Sequence, residues 1–353
     1  MQFGLTDSQI LTKNSAREFF SAEYPIAEVR RLCETDTAHD IPLWRKTAEQ
    51  GWCGMTIPEA YGGMGLDLVE VAAAMEEAGR TLVPGPLLAH LTATAAIAAC
   101  ASEEHKEQVL PALATGERIA TFAVLEPNPS WDLAAVAMPA CEGTKLFVMD
   151  AAVTDYIVTL TRDGVFLVDS RGDGVTLTPM PALDTSRKLS AVNYHNAPGL
   201  QLATDNNAVQ RALDIGTTLL CAEVTGAMQR MLDITVAYVK TRKQFGKPVG
   251  AFQLVQALCA DMLVATESAR SATYFAAYAL EQNLPEAQSA VSVAKSYIAD
   301  AARLTGNNAI QAHGGMGFTW ENDIHLYYRR AKAFETAFGD AVFHRERIAQ
   351  LAL

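Results

Sequence analysis

Residues 242–253 read RKQFGKPVGAFQ and lie between two long segments in which apolar residues recur at helical spacing. The glycines and the proline would end the first helix and force a turn, so the stretch is predicted to be a corner between two helices. Arg242, Phe245 and Gln253 place a guanidinium, an aromatic ring and a carboxamide around that corner. Such a set suits a ligand with a phosphate and a ring. A helical corner with a solvated arginine is the alternative.

Length and composition limit the class of protein. A chain of 353 residues exceeds what one hydrophobic core usually organises, so two or three domains are expected. Half of the residues are apolar and 19% are charged, as in ordinary globular proteins. The formal net charge of -12 argues against nucleic acid or an anionic membrane as the main partner.

The N-terminus and the cysteines bear on the compartment. Residues 1–7 carry neither the basic nor the apolar segment of an export signal, and no uncharged apolar run reaches the roughly 20 residues of a membrane span. None of the six cysteines forms a CxxC pair, so we interpret them as reduced thiols rather than disulfides or metal ligands. A cytoplasmic protein is therefore expected.

The residue pattern divides the chain into three parts. Residues 1–118 are rich in Ala, Leu, Glu and Gln at helical spacing, which predicts an N-terminal α-helical domain. Residues 119–205 contain short runs of Val, Thr, Phe and Tyr between turn residues, which predicts a small antiparallel β domain. Residues 206–353 return to helical spacing and predict a C-terminal four-helix bundle. The expected fold class is α+β.

The same patterns predict individual elements. A first helix is expected to begin at residues 6–9, and two more to cover residues 68–78 and 87–100. The last bundle helix is expected to be continuous over residues 323–352. Strands are expected at residues 119–125, 145–149, 156–160, 165–169 and 175–179. The third and fourth of these are predicted to form a hairpin.

A glycine-rich motif follows the third bundle helix. Residues 311–318 read QAHGGMGF, with three glycines in four positions. Glycines let backbone amides approach a ligand closely, which suits a pyrophosphate. A helix C-cap followed by a turn is the alternative for an isolated motif of this kind.

With these two motifs, the chain resembles the acyl-CoA dehydrogenase family over essentially its whole length. The residues that match are 242–253 and 311–318, HLYYRRAK at 325–332, IPEAYGG at 57–63 and LPALATGE at 110–117. The resemblance implies the fold of that family, with the same order of helical domain, β domain and four-helix bundle. It extends to the bacterial subunits of heteromeric acyl-CoA dehydrogenases that degrade steroid and bile-acid side chains.

The resemblance implies FAD bound at a subunit interface. The implied FAD contacts are Arg242, Phe245, Gln253, Gln311, Gly314, Gly315 and Asp340. All but Asp340 would form a cradle for the FAD of the neighbouring subunit, whereas Asp340 would meet the FAD ribose. The implied reaction is α,β-dehydrogenation of an acyl-CoA thioester. A carboxylate removes the α-proton, FAD accepts the β-hydride, and an electron-transfer flavoprotein takes the electrons.

The usual positions of the catalytic base are empty. The family carries a glutamate either shortly after the Arg-Ala-Lys segment or early in the first bundle helix, and these positions match Phe338 and Gly216. Glu223 is the carboxylate we would test first, because residues 215–229 otherwise carry no charge. A lone carboxylate in an apolar helix is expected to be buried, which suits a base. A buried ion pair with an arginine, such as Arg230 or Arg270, is the alternative.

The β domain also departs from the family pattern. The flavin-contacting motif of the family appears as LEPNPSWD at residues 125–132. The tryptophan beside the flavin ring aligns with Phe147, so an aromatic ring remains while the hydroxyl groups that bond the flavin are missing. The flavin-ring half of the site is therefore expected to be poorer than the half for adenosine and pyrophosphate.

Two functions remain open on these grounds. One is an FAD-dependent acyl-CoA dehydrogenase, a homo-oligomer that uses a base at an unusual position. The other is a partner subunit without a base, which completes the FAD site of a catalytic homologue in an α2β2 heterotetramer. The resemblance to the heteromeric enzymes suggests a bulky acyl group such as a steroid side chain.

Overall fold

The computed structural model describes residues 4–203 and 206–353, and the N-terminal part of these residues is helical. Its helices are α1 Asp7–Glu23, α2 Ile26–Cys33, α3 Ile41–Glu49, α4 Leu68–Arg80, α5 Leu87–Cys100 and α6 Glu103–Ala114. The predicted start of α1 is confirmed, since Thr6 and Gln9 form a reciprocal capping box. Helix α5 has the predicted bounds and is buried on nearly all sides, as its uniformly apolar sequence requires.

The central part forms two small sheets. Its strands are β1 Ala120–Ala123, β2 Gly143–Met149, β3 Tyr156–Thr161, β4 Gly164–Asp169, β5 Val175–Met180, β6 Leu189–Tyr194 and β7 Gly199–Ala203. One sheet has the strand order β1-β3-β4-β7, and the other has the order β2-β6-β5. Strands β3 and β4 form the predicted hairpin. Side chains of both sheets, among them Val148, Ile157 and Val192, meet in one apolar core.

The prediction of an antiparallel domain is wrong for one strand pair. Strands β1 and β3 run parallel, with Ala120 opposite Tyr156. Between them the chain passes through β2, which belongs to the other sheet, and this long connection allows a parallel return. Strands β6 and β7 were not predicted, because their sequences mix Ser, Asn and Gln with apolar residues.

The C-terminal part contains α7 Asn206–Thr241, α8 Gln253–Glu281, α9 Ala287–His313, α10 Ile324–Phe334 and α11 Ala341–Ala352. The first three are the predicted long helices. The prediction of one continuous helix over residues 323–352 is wrong. Phe338 has a φ of 55° and Gly339 a φ of 97°, and a left-handed backbone ends a helix. Residues 335–340 therefore form a loop between α10 and α11.

The described backbone clusters into two compact units. One consists of Met1–Ala27, Ala72–Val83 and Thr217–Leu353, and the other of Glu28–Val71 and Pro84–Gly216. The helical, β and helical order confirms the predicted fold class, while the domain boundaries at 118/119 and 205/206 stay predictions. Residue 205, and residues 1–3 of the segment judged for an export signal, lie outside the described residues. Within the described ranges no helix combines the length and apolar character needed to cross a bilayer.

Helices α4 and α7 cross with their backbones in contact. A Cβ atom added to Gly79 would lie 1.7 Å from the carbonyl oxygen of Glu223, and one added to Gly226 would lie 1.7 Å from that of Glu76. Such distances are far inside van der Waals contact, so both positions require glycine. The crossing fixes the place from which Glu76 and Glu223 extend their carboxylates.

His90 is expected to make the fold sensitive to acid. Its ring is fully buried, with Nε2 3.2 Å from the carbonyl oxygen of Leu113, while Nδ1 accepts a hydrogen bond from the amide of Ala120. Burial lowers the pKa of His90 from 6.5 to about 4. The unfolded chain therefore binds a proton that the folded chain does not between these pH values. The free energy of unfolding should fall by about 2 kcal/mol from pH 7 to pH 5 through this group.

Urea unfolding at the two pH values measures this effect. The His90→Gln variant keeps polar atoms in the cavity but does not titrate, so its free energy of unfolding should depend less on pH. An unchanged difference between pH 7 and pH 5 in the variant would show that His90 is not the source.

Candidate functional site

The predicted corner is a tight hairpin on the protein surface. Strands β8 Lys243–Gln244 and β9 Lys247–Pro248 pair across a turn in which Phe245 and Gly246 both have positive φ values, 51° and 80°. The left-handed backbone at a phenylalanine costs about 1–3 kcal/mol and is typical of functional sites. The Phe245 side chain is 91% exposed, and Arg242 and Gln253 are exposed beside it. Three predicted site residues thus share one accessible corner.

The glycine-rich motif forms an open turn at the end of α9. Residues Gly314–Phe318 make a short 3-10 helix, and Gly314 has a φ of 61°. A Cβ atom added to Gly314 or Gly315 would meet nothing within 4 Å, so the backbone at these two glycines is accessible. Gln311 is exposed one turn earlier. The Gly314 amide itself donates to the Gln311 carbonyl. The turn therefore presents open main chain that a phosphate-bearing ligand can approach closely.

The structure brings the corner and the glycine-rich turn together. The rings of Tyr238 on α7 and His313 on α9 are stacked, with their centroids 4.3 Å apart. The Tyr238 hydroxyl also donates a hydrogen bond to the His313 carbonyl at 3.4 Å. Arg242 follows Tyr238 by one helical turn, and Gly314 follows His313 directly. Six of the seven predicted FAD contacts therefore lie in neighbouring segments.

Asp340, the seventh, lies elsewhere on the bundle. It caps the N-terminus of α11, where its Oδ1 accepts the amide of Phe343 at 2.8 Å. The carbonyl of the preceding residue, Gly339, binds Lys295 on α9. Lys295 precedes His313 by 18 residues, which is about 27 Å along a helix. Asp340 therefore does not share the cradle of Arg242, and its predicted contact with the FAD ribose stays a prediction.

The two usual base positions carry no ionisable side chain. Gly216 is buried in α7, and Phe338 is 8% exposed in the loop between α10 and α11. The Phe338 carbonyl oxygen lies 2.8 Å from Nε2 of His344. A hydrogen bond to its carbonyl thus stabilises the left-handed backbone of Phe338. The Phe338 side chain cannot accept a proton.

Glu223 is buried, as predicted, and its carboxylate forms an ion pair. Arg330 of α10 donates a hydrogen bond from Nη1 to Oε1 of Glu223 at 2.6 Å, and both side chains are at most 2% exposed. The same guanidinium donates to the carbonyl of Val83 at 3.4 Å. The alternative of a buried ion pair with an arginine is confirmed, but the partner is Arg330 rather than Arg230 or Arg270. Arg230 and Arg270 are closer to Glu223 along the chain, whereas Arg330 is 107 residues away.

In the β region, the residue that the resemblance aligns with the tryptophan beside the flavin ring has an unusual backbone conformation. Phe147 has a φ of 55°, is 44% exposed and interrupts the pairing of β2 with β6. The neighbouring Lys145 is fully buried and donates to the Val124 carbonyl and to Glu126, each at 2.9 Å. Glu126, which stands in the altered LEPNPSWD motif, also accepts the amide of Met138 at 3.0 Å. Its carboxylate is therefore used within the protein.

The buried lysines were not predicted from the sequence. Lys145 and Lys295 both stand among apolar or small residues, which is the signal that could have identified them. A lysine is almost never fully buried without a partner. Here the partners include main-chain carbonyls. Every residue has such a carbonyl, so no sequence pattern identifies which carbonyls the lysines bind.

Two family models match the chain. The acyl-CoA dehydrogenase N-terminal domain matches residues 6–117, and the acyl-CoA dehydrogenase C-terminal domain matches residues 206–353. The acyl-CoA dehydrogenase IpdE2 of Mycolicibacterium smegmatis is 33% identical over 324 residues, which cover 92% of this chain and 91% of the relative. The chain belongs to the acyl-CoA dehydrogenase family, and the resemblance found from the motifs is confirmed.

Other relatives and solved structures agree. The acyl-CoA dehydrogenase FadE34 of Mycobacterium tuberculosis is 37% identical over 295 residues, which cover 82% of this chain and 39% of the relative. A Tcur3481-Tcur3483 steroid acyl-CoA dehydrogenase variant matches with a TM-score of 0.90 and 28% identity over 98% of both chains. The ChsE4-ChsE5 complex of Mycobacterium tuberculosis matches with a TM-score of 0.90 and 25% identity over 99% of this chain and 98% of that chain.

Glu223 and Arg330 are expected to depend on each other for stability. The Glu223→Gln variant leaves a buried guanidinium without its carboxylate, which should lower the free energy of unfolding by about 3–5 kcal/mol. The double variant Glu223→Gln with Arg330→Met removes both charges and should recover most of that loss. Urea unfolding of both variants measures the coupling. A Glu223→Gln variant as stable as the parent would contradict it.

Proposed function

We propose that the chain is a subunit of a heteromeric acyl-CoA dehydrogenase, in which it completes the FAD site of a homologous subunit that carries the catalytic base. The observation that supports this proposal is a contrast within one chain. The corner and the glycine-rich turn offer accessible groups for FAD, while Gly216 and Phe338 occupy the base positions. The carboxylate of Glu223 is already paired with Arg330.

The residues present fit FAD. The open backbone at Gly314 and Gly315 leaves room for a pyrophosphate, and the exposed guanidinium of Arg242 supplies a fork of donors for it. The exposed Phe245 ring offers a stacking surface. With Gln253 and Gln311, these residues would hold the FAD of the homologous subunit.

The division of chemistry follows from these assignments. FAD, when bound, supplies the acceptor for a hydride from the β-carbon of the thioester. A carboxylate must take the α-proton, and neither Gly216 nor Phe338 can do so, so the homologous subunit supplies that group. This chain binds and orients the pyrophosphate part of the cofactor. An electron-transfer flavoprotein takes the electrons.

A bulky acyl-CoA, such as one with a steroid-type side chain, is the proposed substrate of the assembly. Two of the matched structures support this proposal. One is described as a steroid acyl-CoA dehydrogenase, and both are named as pairs of chains. An α2β2 heterotetramer is the assembly we propose on the same grounds.

The second candidate function is a homo-oligomeric acyl-CoA dehydrogenase with Glu223 as its base. One observation favours it: Glu223 is a buried carboxylate, 1% exposed, on a mostly apolar helix. The hydrogen bond from Arg330 counts against it, since a base must be free to accept the α-proton.

Co-expression separates the two functions. The chain should be purified alone and together with the acyl-CoA dehydrogenase homologue encoded nearest to it. We expect little bound flavin in the chain alone, and a yellow complex with equal numbers of the two subunits that bleaches with an acyl-CoA. A yellow homo-oligomer that bleaches would instead favour the second function, and Glu223→Gln should then abolish bleaching while FAD stays bound.

Arg242 is expected to hold FAD in whichever assembly forms. The Arg242→Gln variant removes charge-assisted hydrogen bonds worth about 1.5–3 kcal/mol, so FAD should bind roughly 10- to 100-fold more weakly. Fluorescence of released flavin during dilution measures the dissociation constant. Lys243→Gln is the matched control, because it removes a neighbouring exposed cation from the same hairpin. Equal losses in the two variants would argue for a general charge effect instead.

A further inference from the structure

Two large aromatic side chains follow the open glycines of the turn and stand in solvent. Phe318 is 81% exposed and Trp320 is 65% exposed. Neither is among the seven predicted FAD contacts. Covering rings of this size removes a large apolar area from water, so they favour contact with a ligand or another molecule.

Hydrogen bonds fix the backbone that carries these rings. The Thr319 amide donates to the Met316 carbonyl, and the Asn322 amide donates to the Thr319 carbonyl, each at 3.3 Å. A Cβ atom added to Gly317 would lie 2.7 Å from the carbonyl oxygen of Ile310, so the turn packs closely against α9. A folded segment therefore presents the two rings.

The Trp320 ring is held by two side chains of α10. The guanidinium carbon of Arg329 lies 4.6 Å from the centroid of the ring, which is a cation–π contact. The His325 ring stands nearly perpendicular to it, with the centroids 4.9 Å apart. Arg329 forms no hydrogen bond or ion pair with any of the described residues, so its N–H donors stay available to a ligand.

The open glycines lie a short distance from both rings. Gly315 and Phe318 belong to the same 3-10 helix, in which three residues advance about 6 Å. Trp320 follows two residues later, at most about 7 Å further along the chain. In a nucleotide, one ribose separates the purine from the phosphates. A ligand with its phosphates at Gly315 therefore has its purine within reach of these rings.

We propose that Trp320, Arg329 and the turn at Gly315 form a subsite for adenosine diphosphate, with the adenine stacked on Trp320. Purines stack on exposed aromatic side chains, and the guanidinium of Arg329 supplies positive charge and donors for the phosphates. The subsite rests on the proposed function, because FAD and acyl-CoA both contain an adenosine diphosphate part. That shared part defines the ligand class.

ADP is the probe for this subsite, and two assays distinguish the two sources. If the subsite serves FAD, ADP should compete with FAD for rebinding to the flavin-depleted assembly. If it serves acyl-CoA, ADP should instead compete with an acyl-CoA in bleaching of the flavin-containing assembly. Trp320→Leu removes the ring but keeps an apolar side chain. The inhibition constant of ADP should then rise about tenfold in the assay concerned.

Phe275→Leu is the matched control, because it removes another exposed ring from the bundle. Phe275 lies on α8, 22 residues or about 33 Å from Gln253 at the corner, so inhibition by ADP should not change. Equal inhibition in Trp320→Leu and the parent, or no inhibition in either assay, would overturn the proposal. A Trp320→Leu chain that loses its partner subunit but binds ADP as the parent does would overturn it as well, since a protein surface would then cover the ring.

Arg329→Gln provides a second test if the tryptophan variant does not fold. This change removes the charge that only the phosphates of the ligand would meet. Inhibition by ADP should weaken about tenfold, and by a larger factor than inhibition by adenosine. Equal losses for the two ligands would contradict the proposal.

Fluorescence separates failure of the subsite from failure of the proposed function. Trp320 is the most exposed of the four tryptophans, so ADP should quench the fluorescence of the full chain without flavin, and Trp320→Leu should abolish this quenching. If the assembly binds no FAD but ADP still quenches, the proposed function is refuted and the subsite is supported. If FAD binds while ADP neither quenches nor competes, the subsite alone is refuted.

Discussion

The direct contact of the α4 and α7 backbones is the constraint on which the buried charged side chains near this crossing depend. Gly79 and Gly226 leave no space for a side chain, so the two helices approach as closely as main chains can. Carboxylates that leave either helix near the crossing are enclosed by neighbouring helices. Each one then needs a cation within reach, because an unpaired buried charge is far more costly than a paired one.

Each enclosed carboxylate at this crossing has such a partner. Glu76 accepts hydrogen bonds from Lys13 at 2.7 Å, Tyr274 at 2.6 Å and Arg270 at 3.0 Å. Against the cost of burial, the charges of Lys13 and Arg270 lower the pKa of Glu76. Glu223 is likewise paired with a cation, the guanidinium of Arg330. A carboxylate that takes part in the packing of a crossing is poorly suited to receive a proton in every catalytic cycle.

The sequence was most informative where structure is local. The capping box at Thr6, the apolar helix α5 and the corner at residues 242–253 were predictable, because their signals lie within a few residues. The partner of Glu223 and the break at Phe338 were not. Both depend on contacts between helices that are distant in the chain, such as Arg330 with Glu223 and Lys295 with Gly339. The FAD contacts were assigned through family motifs, whereas their mutual placement came from the stacking of Tyr238 on His313.

Two buried lysines lie near phenylalanines that have a left-handed backbone. Lys145 binds the carbonyl of Val124 near the Phe147 bulge, and Lys295 binds three carbonyls of the loop that carries Phe338. Lys295 thus binds the segment around the left-handed Phe338 directly, whereas Lys145 lies two residues before the left-handed Phe147 and binds residues 124 and 126. The backbone around Phe338 depends on several hydrogen-bond partners at once. In the function proposed for this chain, the proton-accepting side chain can therefore be absent while the surrounding main chain stays fixed by other residues.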